Sequence, residues 1–258
     1  MNYGIVTLPL APVRAESDER SEMTSQLLFG EIVEIIEYND KWLYIRNLSD
    51  NYKGYIDRKM LQFLKNFEYE ELLQMRTAQV NVPIATIYNS NNQAIKIPFG
   101  SNIYLDDDNR CVVAGEKYIY EPYEICEIVQ QTGNEVVKAA KQFLNAPYLW
   151  GGKSIFGVDC SGLAQLCYKH IEVQLPRDAA EQVNCGTAIN SFSDICEGDL
   201  AFFENEKNKI VHVGILLNKN QIIHSSGWVK IENFDKKGII SSTSGDYTHK
   251  LKCIKRYC

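Results

Sequence analysis

No stretch of this 258-residue chain approaches the roughly 20 consecutive apolar residues that span a bilayer. The first 23 residues show no basic start followed by an apolar segment, and Pro9 and Pro12 interrupt their only apolar run. No signal peptide is visible, so a cytoplasmic location is expected. Basic residues are outnumbered, with a net charge of −6, which argues against nucleic acid and anionic membrane surfaces as partners. The eight cysteines form no C-x-x-C pair and no regular framework. A disulfide scaffold is thus not indicated, and zinc would want clustered Cys/His pairs at short spacing. Neither a metal nor an organic cofactor is expected. Histidine is scarce, with four in all, so any that fall together carry weight.

What the chain does have is a change of rhythm midway. Up to about residue 65, short runs rich in Val, Ile, Tyr and Trp (GIVTLPLAPVRA, EIVEIIEY, KWLYIRN, GYIDRKML) are broken by Gly, Asn and Asp. Small all-β barrels are built this way. A short helical connector is expected over 66–76. A second β-type run follows to about Tyr123: AQVNVPIATIY, AIKIPFGSNIYL, CVVAGEKYIYEP.

From about Thr132 the period becomes helical. Val136, Val137, Ala140, Phe143 and Leu144 line one face before Pro147, and Leu163, Leu166, Cys167 and Ile171 line another. Alternating segments then resume to the C-terminus, so helices followed by strands predict an α+β domain.

The segment YLWGGKSIFGVDCSGLAQLCYKH holds the strongest chemical signal. A glycine-rich loop leads to Cys160, and a helix starts at once. A thiol there feels the positive end of the helix dipole and free N–H groups, which predicts a depressed pKa and a nucleophile. The same N–H groups can receive an oxyanion. A cysteine at such a place is more often a small buried apolar residue. The Asp-Cys-Ser-Gly setting and the histidines downstream favour chemistry.

His212 lies inside KIVHVGILLN and His224 ends QIIH, with a turn at Asn218–Asn220 between them. A hairpin there puts both rings on one face, as a base and its orienting partner. One histidine on a strand is usually structural; two on paired strands are harder to dismiss. His170, near the end of the Cys160 helix, is read as a structural cation at the C-terminal dipole, and His249 as solvated.

The motifs Y-x-W-G-G, D-C-S-G-L, L-P-R-D, G-D-L-A-F-F, H-V-G-I and I-I-H-S-S-G resemble, in order, the NlpC/P60 family of cell-wall peptide hydrolases. PVRAESDERSEMTSQLLFGE with GYID is similar to a bacterial SH3 domain. The resemblance implies a papain-like catalytic domain over 129–258. Before it stand two small SH3-like barrels, one over 1–65 and one, with the connector, over 66–128. It makes Cys160 the nucleophile, His212 the base and His224 the third polar residue. Tyr148 and Trp150 become aromatic neighbours of the substrate, and the tyrosine is a donor to the oxyanion.

The full chain resembles intracellular γ-D-glutamyl-L-diamino acid endopeptidases of murein peptide recycling. There, a barrel caps the cleft and helps hold a free L-alanine amino terminus. The matching positions are Asp178, Asp159 and Ser161, with Glu22 and Tyr55 from the barrel. Asp178 reads equally as a helix cap. Ala179 departs from the family's Arg-Asp-Ser and removes a hydroxyl from the substrate side. The expected enzyme is a monomeric cysteine peptidase whose partner is a murein peptide such as L-Ala-γ-D-Glu-diamino acid. A cell-wall hydrolase, an amidase or acyltransferase on the same fold, and a non-enzymatic wall-binding module remain alternatives.

Overall fold

The computed structural model describes residues 3–127 and 129–258. They fall into two compact units: the chain through residue 127 joined by Trp150–Ile155, and Val129–Leu149 joined by Phe156–Cys258.

The first unit is almost entirely antiparallel β-structure. Seven strands make one sheet, in the order Met23–Leu28, Leu10–Arg14, Lys53–Asp57, Trp42–Asn47, Ile32–Tyr38, Tyr3–Val6 and Leu61–Leu64. Alternation drives their inner face: Ala11, Val13, Leu27, Val33, Ile35, Leu43, Ile45 and Ile56 are buried together. The strand Met23–Leu28 was not anticipated, because ERSEMTSQLL begins polar and does not alternate cleanly.

The helix Asn66–Gln74 then leads to a five-stranded sheet and the hairpin Ile84–Tyr88/Ala94–Pro98. A second core mixes Ile5, Phe29, Ile32 and Leu64 with Val80, Ile87, Ile97 and Ile103. The early and late halves of this unit therefore share one interior. Backbone and side chain reinforce it: Asn102 N–H donates to the Phe29 carbonyl at 2.9 Å, and Tyr104 Oη donates to that of Gly30 at 2.9 Å.

The segment Trp150–Ile155 is anchored along Met23–Leu28. Trp150 Nε1 donates to Glu22 Oε1 at 2.6 Å and Lys153 N–H donates to Gln26 Oε1 at 2.8 Å. Lys153 Nζ lies 3.7 Å from Glu31 Oε1, both side chains almost fully buried. Gly151 has φ +77°, and a Cβ there would lie 2.5 Å from the Met23 carbonyl oxygen. Only glycine allows so close an approach with that backbone.

The second unit is α+β, with helices Gly133–Lys141, Cys160–His170 and Ala179–Gln182. Its sheet runs Thr187–Ala188, Tyr247–Arg256, Leu200–Glu204, Ile210–Asn218, Gln221–Ser226, Trp228–Phe234, Gly238–Ile240. Gly238–Ile240 also pairs with Tyr247–Arg256, so all but the short first strand close into a ring. Ala201, Phe203, Leu216, Ile222, Phe234, Ile239 and Ile254 fill one cluster on these strands. The helix Cys160–His170 packs against Gly133–Lys141 and the strand Ile210–Asn218. Among the described residues no helix is long and apolar enough to cross a membrane.

Candidate active site

Cys160 is the first residue of its helix, and Asp159 is the cap, accepting the Gly162 N–H on Oδ1 at 2.7 Å. Asp159 is itself clamped by the fully buried Arg177, whose guanidinium reaches Oδ1 at 3.1 Å and Oδ2 at 2.5 Å and donates to Ser161 Oγ at 2.9 Å. Gln182 Nε2 donates to the Ser161 carbonyl at 3.1 Å. The first turn carrying the thiol is thus fixed from three sides. L-P-R-D was legible as a motif, but nothing in sequence spacing showed that its arginine grips the aspartate before the cysteine.

The histidine hairpin forms as its alternation predicts. Ile215 pairs with Ile223 and Leu216 with Ile222 across the turn, with an irregularity before Asn218. His212 Nε2 lies 2.9 Å from His224 Nδ1, and both rings are buried. His224 Nε2 lies 2.9 Å from Glu232 Oε2, whose other oxygen accepts Ser242 N–H at 2.8 Å and Oγ at 3.0 Å. Glu232 was missed from sequence. Its signal was available: on Trp228–Phe234 alternation places 230, 232 and 234 on one face, and a carboxylate stands in line with a core phenylalanine.

Electrostatics fixes the proton positions. Burial pushes the Glu232 carboxyl up, but the bonds from His224 and Ser242 outweigh it and hold the group at about 2. Glu232 is therefore ionised and accepts only. Burial holds His224 below its ordinary value despite the pull of Glu232. A neutral His224 must then donate from Nε2 to Glu232 and accept at Nδ1. His212 in turn donates from Nε2, which leaves its Nδ1 lone pair unprotonated, the form a general base requires. Burial, then the neighbouring His224, His249 and Lys230, keep His212 well below its usual range.

The thiol departs from expectation. Burial and the Asp159 charge push Cys160 up to about 12, against the pull of the Val213 and Ser161 N–H groups and Arg177. The helix-start dipole alone does not produce a standing thiolate here, because the sulfur is desolvated. Charging either partner alone is costly, whereas moving the proton from sulfur to imidazole makes two opposite charges at once. Val213, whose N–H addresses the thiol, directly follows His212.

Two further histidine expectations change. His249 is half-buried rather than free in solvent: its ring stacks on His212 at 4.2 Å and 30°. It escaped notice because THKLK reads as a polar tail. His170 is buried, and burial lowers its pKa, so it is not the cation at the helix end that its position suggested.

Of the remaining predicted residues, Tyr148 is half-buried, and burial followed by the Cys160 and Asp159 charges pushes its hydroxyl up to about 12, so it remains a donor at neutral pH. Asp178 is exposed at the start of Ala179–Gln182 and makes no side-chain cap bond. In the first unit Glu22 and Trp150 meet through the indole hydrogen bond. Tyr55 sits at the same sheet end: Arg14 pairs with Tyr55 on one side and Met23 on the other.

A helix-start cysteine beside a histidine relay, on helices packed against an antiparallel ring, defines the class: a papain-like cysteine peptidase. Residues 145–250 match the NlpC/P60 family, and residues 13–61 match the bacterial dipeptidyl-peptidase SH3 domain. The chain carries an NlpC/P60 peptidase domain and, before it, a bacterial SH3 domain. It is similar to the γ-D-glutamyl-L-lysine dipeptidyl-peptidase of Bacillus subtilis, 28% identical over 78% of this chain and 71% of that one. It is likewise 28% identical to dipeptidyl-peptidase 6 of Lysinibacillus sphaericus, over 86% and 87% of the two chains. A crystal structure of an NlpC/P60 family protein from Bacillus cereus shares the fold over 99% of both chains, with TM-score 0.86 at 18% identity.

Proposed function

We propose that this peptidase hydrolyses the γ-D-glutamyl–diamino acid bond of murein stem peptides that carry a free N-terminal L-alanine, in cytoplasmic peptide recycling. The observation that supports the chemistry is the one-directional relay from Glu232 through His224 to His212, on the strand whose Val213 N–H addresses the Cys160 thiol. The relatives named as γ-D-glutamyl-L-lysine dipeptidyl-peptidases support the bond. Eight free thiols suit a reducing compartment.

In this mechanism His212 Nδ1 takes the Cys160 proton as sulfur attacks the γ-carbonyl carbon. The oxyanion is met by N–H groups of the helix start and by the protonated Tyr148 hydroxyl. Collapse breaks the C–N bond, and His212 hands its proton to the leaving amine. Water, deprotonated by His212, then releases the glutamyl product and restores the thiol. Asp178 supplies an acceptor for the ammonium; Glu22, Tyr55 and Trp150 gather at one end of the first unit's sheet. Asp159 and Ser161, locked by Arg177, offer fixed rather than mobile acceptors.

The test is a digest of L-Ala-γ-D-Glu-diaminopimelate and of its L-lysine counterpart, each free and N-acetylated, with products identified by mass and Cys160→Ala as control. Acetylation removes the charge and the charge-assisted hydrogen bonds of the amino terminus and adds bulk, so kcat/KM should fall by about 10- to 100-fold. Equal values for free and acetylated peptides would instead identify a wall hydrolase. No cleavage of either would dismiss the peptide class.

A further inference from the structure

We propose that His249 is a positioning residue for the peptidase: its neutral ring is the wall that holds the His212 imidazole in plane and shields it from water. This rests on His212 being the base.

The geometry is specific. The His249 ring lies 4.2 Å from that of His212 at 30°, a stacked pair, while His224 meets His212 edge-on at 5.1 Å and 85°. Phe203 closes another side, 5.7 Å from His212 and 5.9 Å from His249. His212 is therefore gripped at one edge by a hydrogen bond and across one face by a ring. A hydrogen bond through Nε2 fixes where that atom lies but leaves the ring free to rock about the bond. Stacking removes that freedom.

The chain takes trouble to aim this side chain. Ile239 pairs with His249 but Ile240 pairs with Tyr247, so Thr248 is an extra residue in the strand. Such a bulge re-aims the side chain beside it. Thr248 Oγ1 lies 2.9 Å from His249 Nδ1 and steadies the ring from its outer edge. The facing strand approaches so closely that a Cβ on Gly238, at φ +148°, would lie 1.8 Å from the His249 carbonyl oxygen. The backbone carrying His249 is pinned against the Gly238–Ile240 strand.

The titratable and charged groups around the ring are His212, His224, Lys230 and Glu232. Burial, then His224 and Lys230, lower the His249 pKa to about 4 against the pull of Glu232. A neutral π-face is what an imidazolium on His212 can rest against; a second cation would oppose it. Stacking keeps water from the base, one reason His212 sits well below its usual range, and it offers no proton of its own.

His249→Ala opens that face to water, and His249→Phe keeps an aromatic wall with no titrating group. The measurements are kcat and KM on the cleaved peptide, the kcat/KM pH profile, and the His212 titration by imidazole 15N shifts without substrate. Melting curves for each variant verify folding. His249→Ala should lower kcat by about 10- to 100-fold with KM changed less than threefold. His212 should titrate nearer 6.5, and the acid limb of the profile should move up with it. His249→Phe should recover kcat to within about threefold and keep the wild-type titration. A folded His249→Ala with unchanged kcat and unchanged His212 titration overturns the proposal, as does a His249→Phe no better than His249→Ala in both. Because the titration needs no substrate, it stands even if the assigned peptide proves wrong, and a wild-type enzyme inactive on that peptide would count against the function alone.

Discussion

At the scale of the residue, Glu232 sets the direction of every hydrogen bond that leads to His212, because an ionised carboxylate accepts and never donates. Glu232→Gln removes that constraint, since an amide can present either group to His224, and the imidazoles can then take the wrong tautomer. A loss in kcat of about 10- to 100-fold with the fold retained is expected, measured by steady-state kinetics beside circular dichroism. The acid side follows from the same groups. His212 works as a base only when neutral, and burial holds its pKa below 6.5, so the acid limb of kcat/KM should lie below pH 6.5. A limb centred at or above that value would place His212 in water. Stability titrates too. Glu232 has its pKa depressed from 4.5 to about 2, so its contribution is complete above pH 4.5 and is lost as pH falls through 2. The buried His224, lowered from 6.5, also favours the folded state less as the solution becomes acid. Urea titrations of wild type and Glu232→Gln across pH 2–5 should converge at the acid end.

At the scale of the element, the helix Cys160–His170 and the hairpin bearing His212 and His224 were legible because each rests on local pattern: a 3.6 period after a glycine loop, and alternation around an Asn turn. Glu232 and His249 were not. Glu232 lies on Trp228–Phe234, which pairs directly with Gln221–Ser226, and its place in that alternation was overlooked. The strand of His249 reaches the hairpin through Leu200–Glu204 and Gly238–Ile240, pairings between distant strands that leave no local trace. The Cys160 pKa was misjudged for a related reason: a helix start is visible in sequence, but the desolvation that outweighs it depends on what packs over the thiol. Gly238 shows how tight that closure is. Gly238→Ala would drive a methyl group into the His249 carbonyl at a φ of +148°, so the strand must shift or the ring must open. We expect a loss of about 2–4 kcal/mol in chemical denaturation and a fall in kcat larger than the fall for an alanine at the open Gly245. Equal effects at both sites would mean that the Gly238–Ile240 pairing is dispensable.

At the scale of the molecule, sequence rhythm separated β-rich from α+β chain, and the core shared by Ile5, Phe29, Val80 and Ile103 was beyond it, because side chains over 70 positions apart meet there. Nor did the sequence reveal that Trp150–Ile155 belongs with the first unit. The buried Lys153–Glu31 pair is the sharpest test of that membership. Lys153→Met strands a buried carboxylate without its counter-charge and should cost about 3–5 kcal/mol, while Lys153→Met with Glu31→Gln should recover most of it. Urea unfolding of the first unit would measure both, and an undisturbed single variant would show that the pair is loose and hydrated.

The same segment bears on how the protein is made. The chain leaves the first unit at residue 128, builds 21 residues of the second, returns for Trp150–Ile155, and leaves again. A ribosome delivers residues in order, at about 5–20 per second. The β-rich unit therefore emerges with the strand Met23–Leu28 lacking its last neighbour, and it stays incomplete until the segment just ahead of Cys160 has been synthesised. The order of synthesis thus ties completion of the first unit to the approach of the thiol, and a nascent chain halted before residue 150 would hold the edge strand Met23–Leu28 without the segment that packs along it.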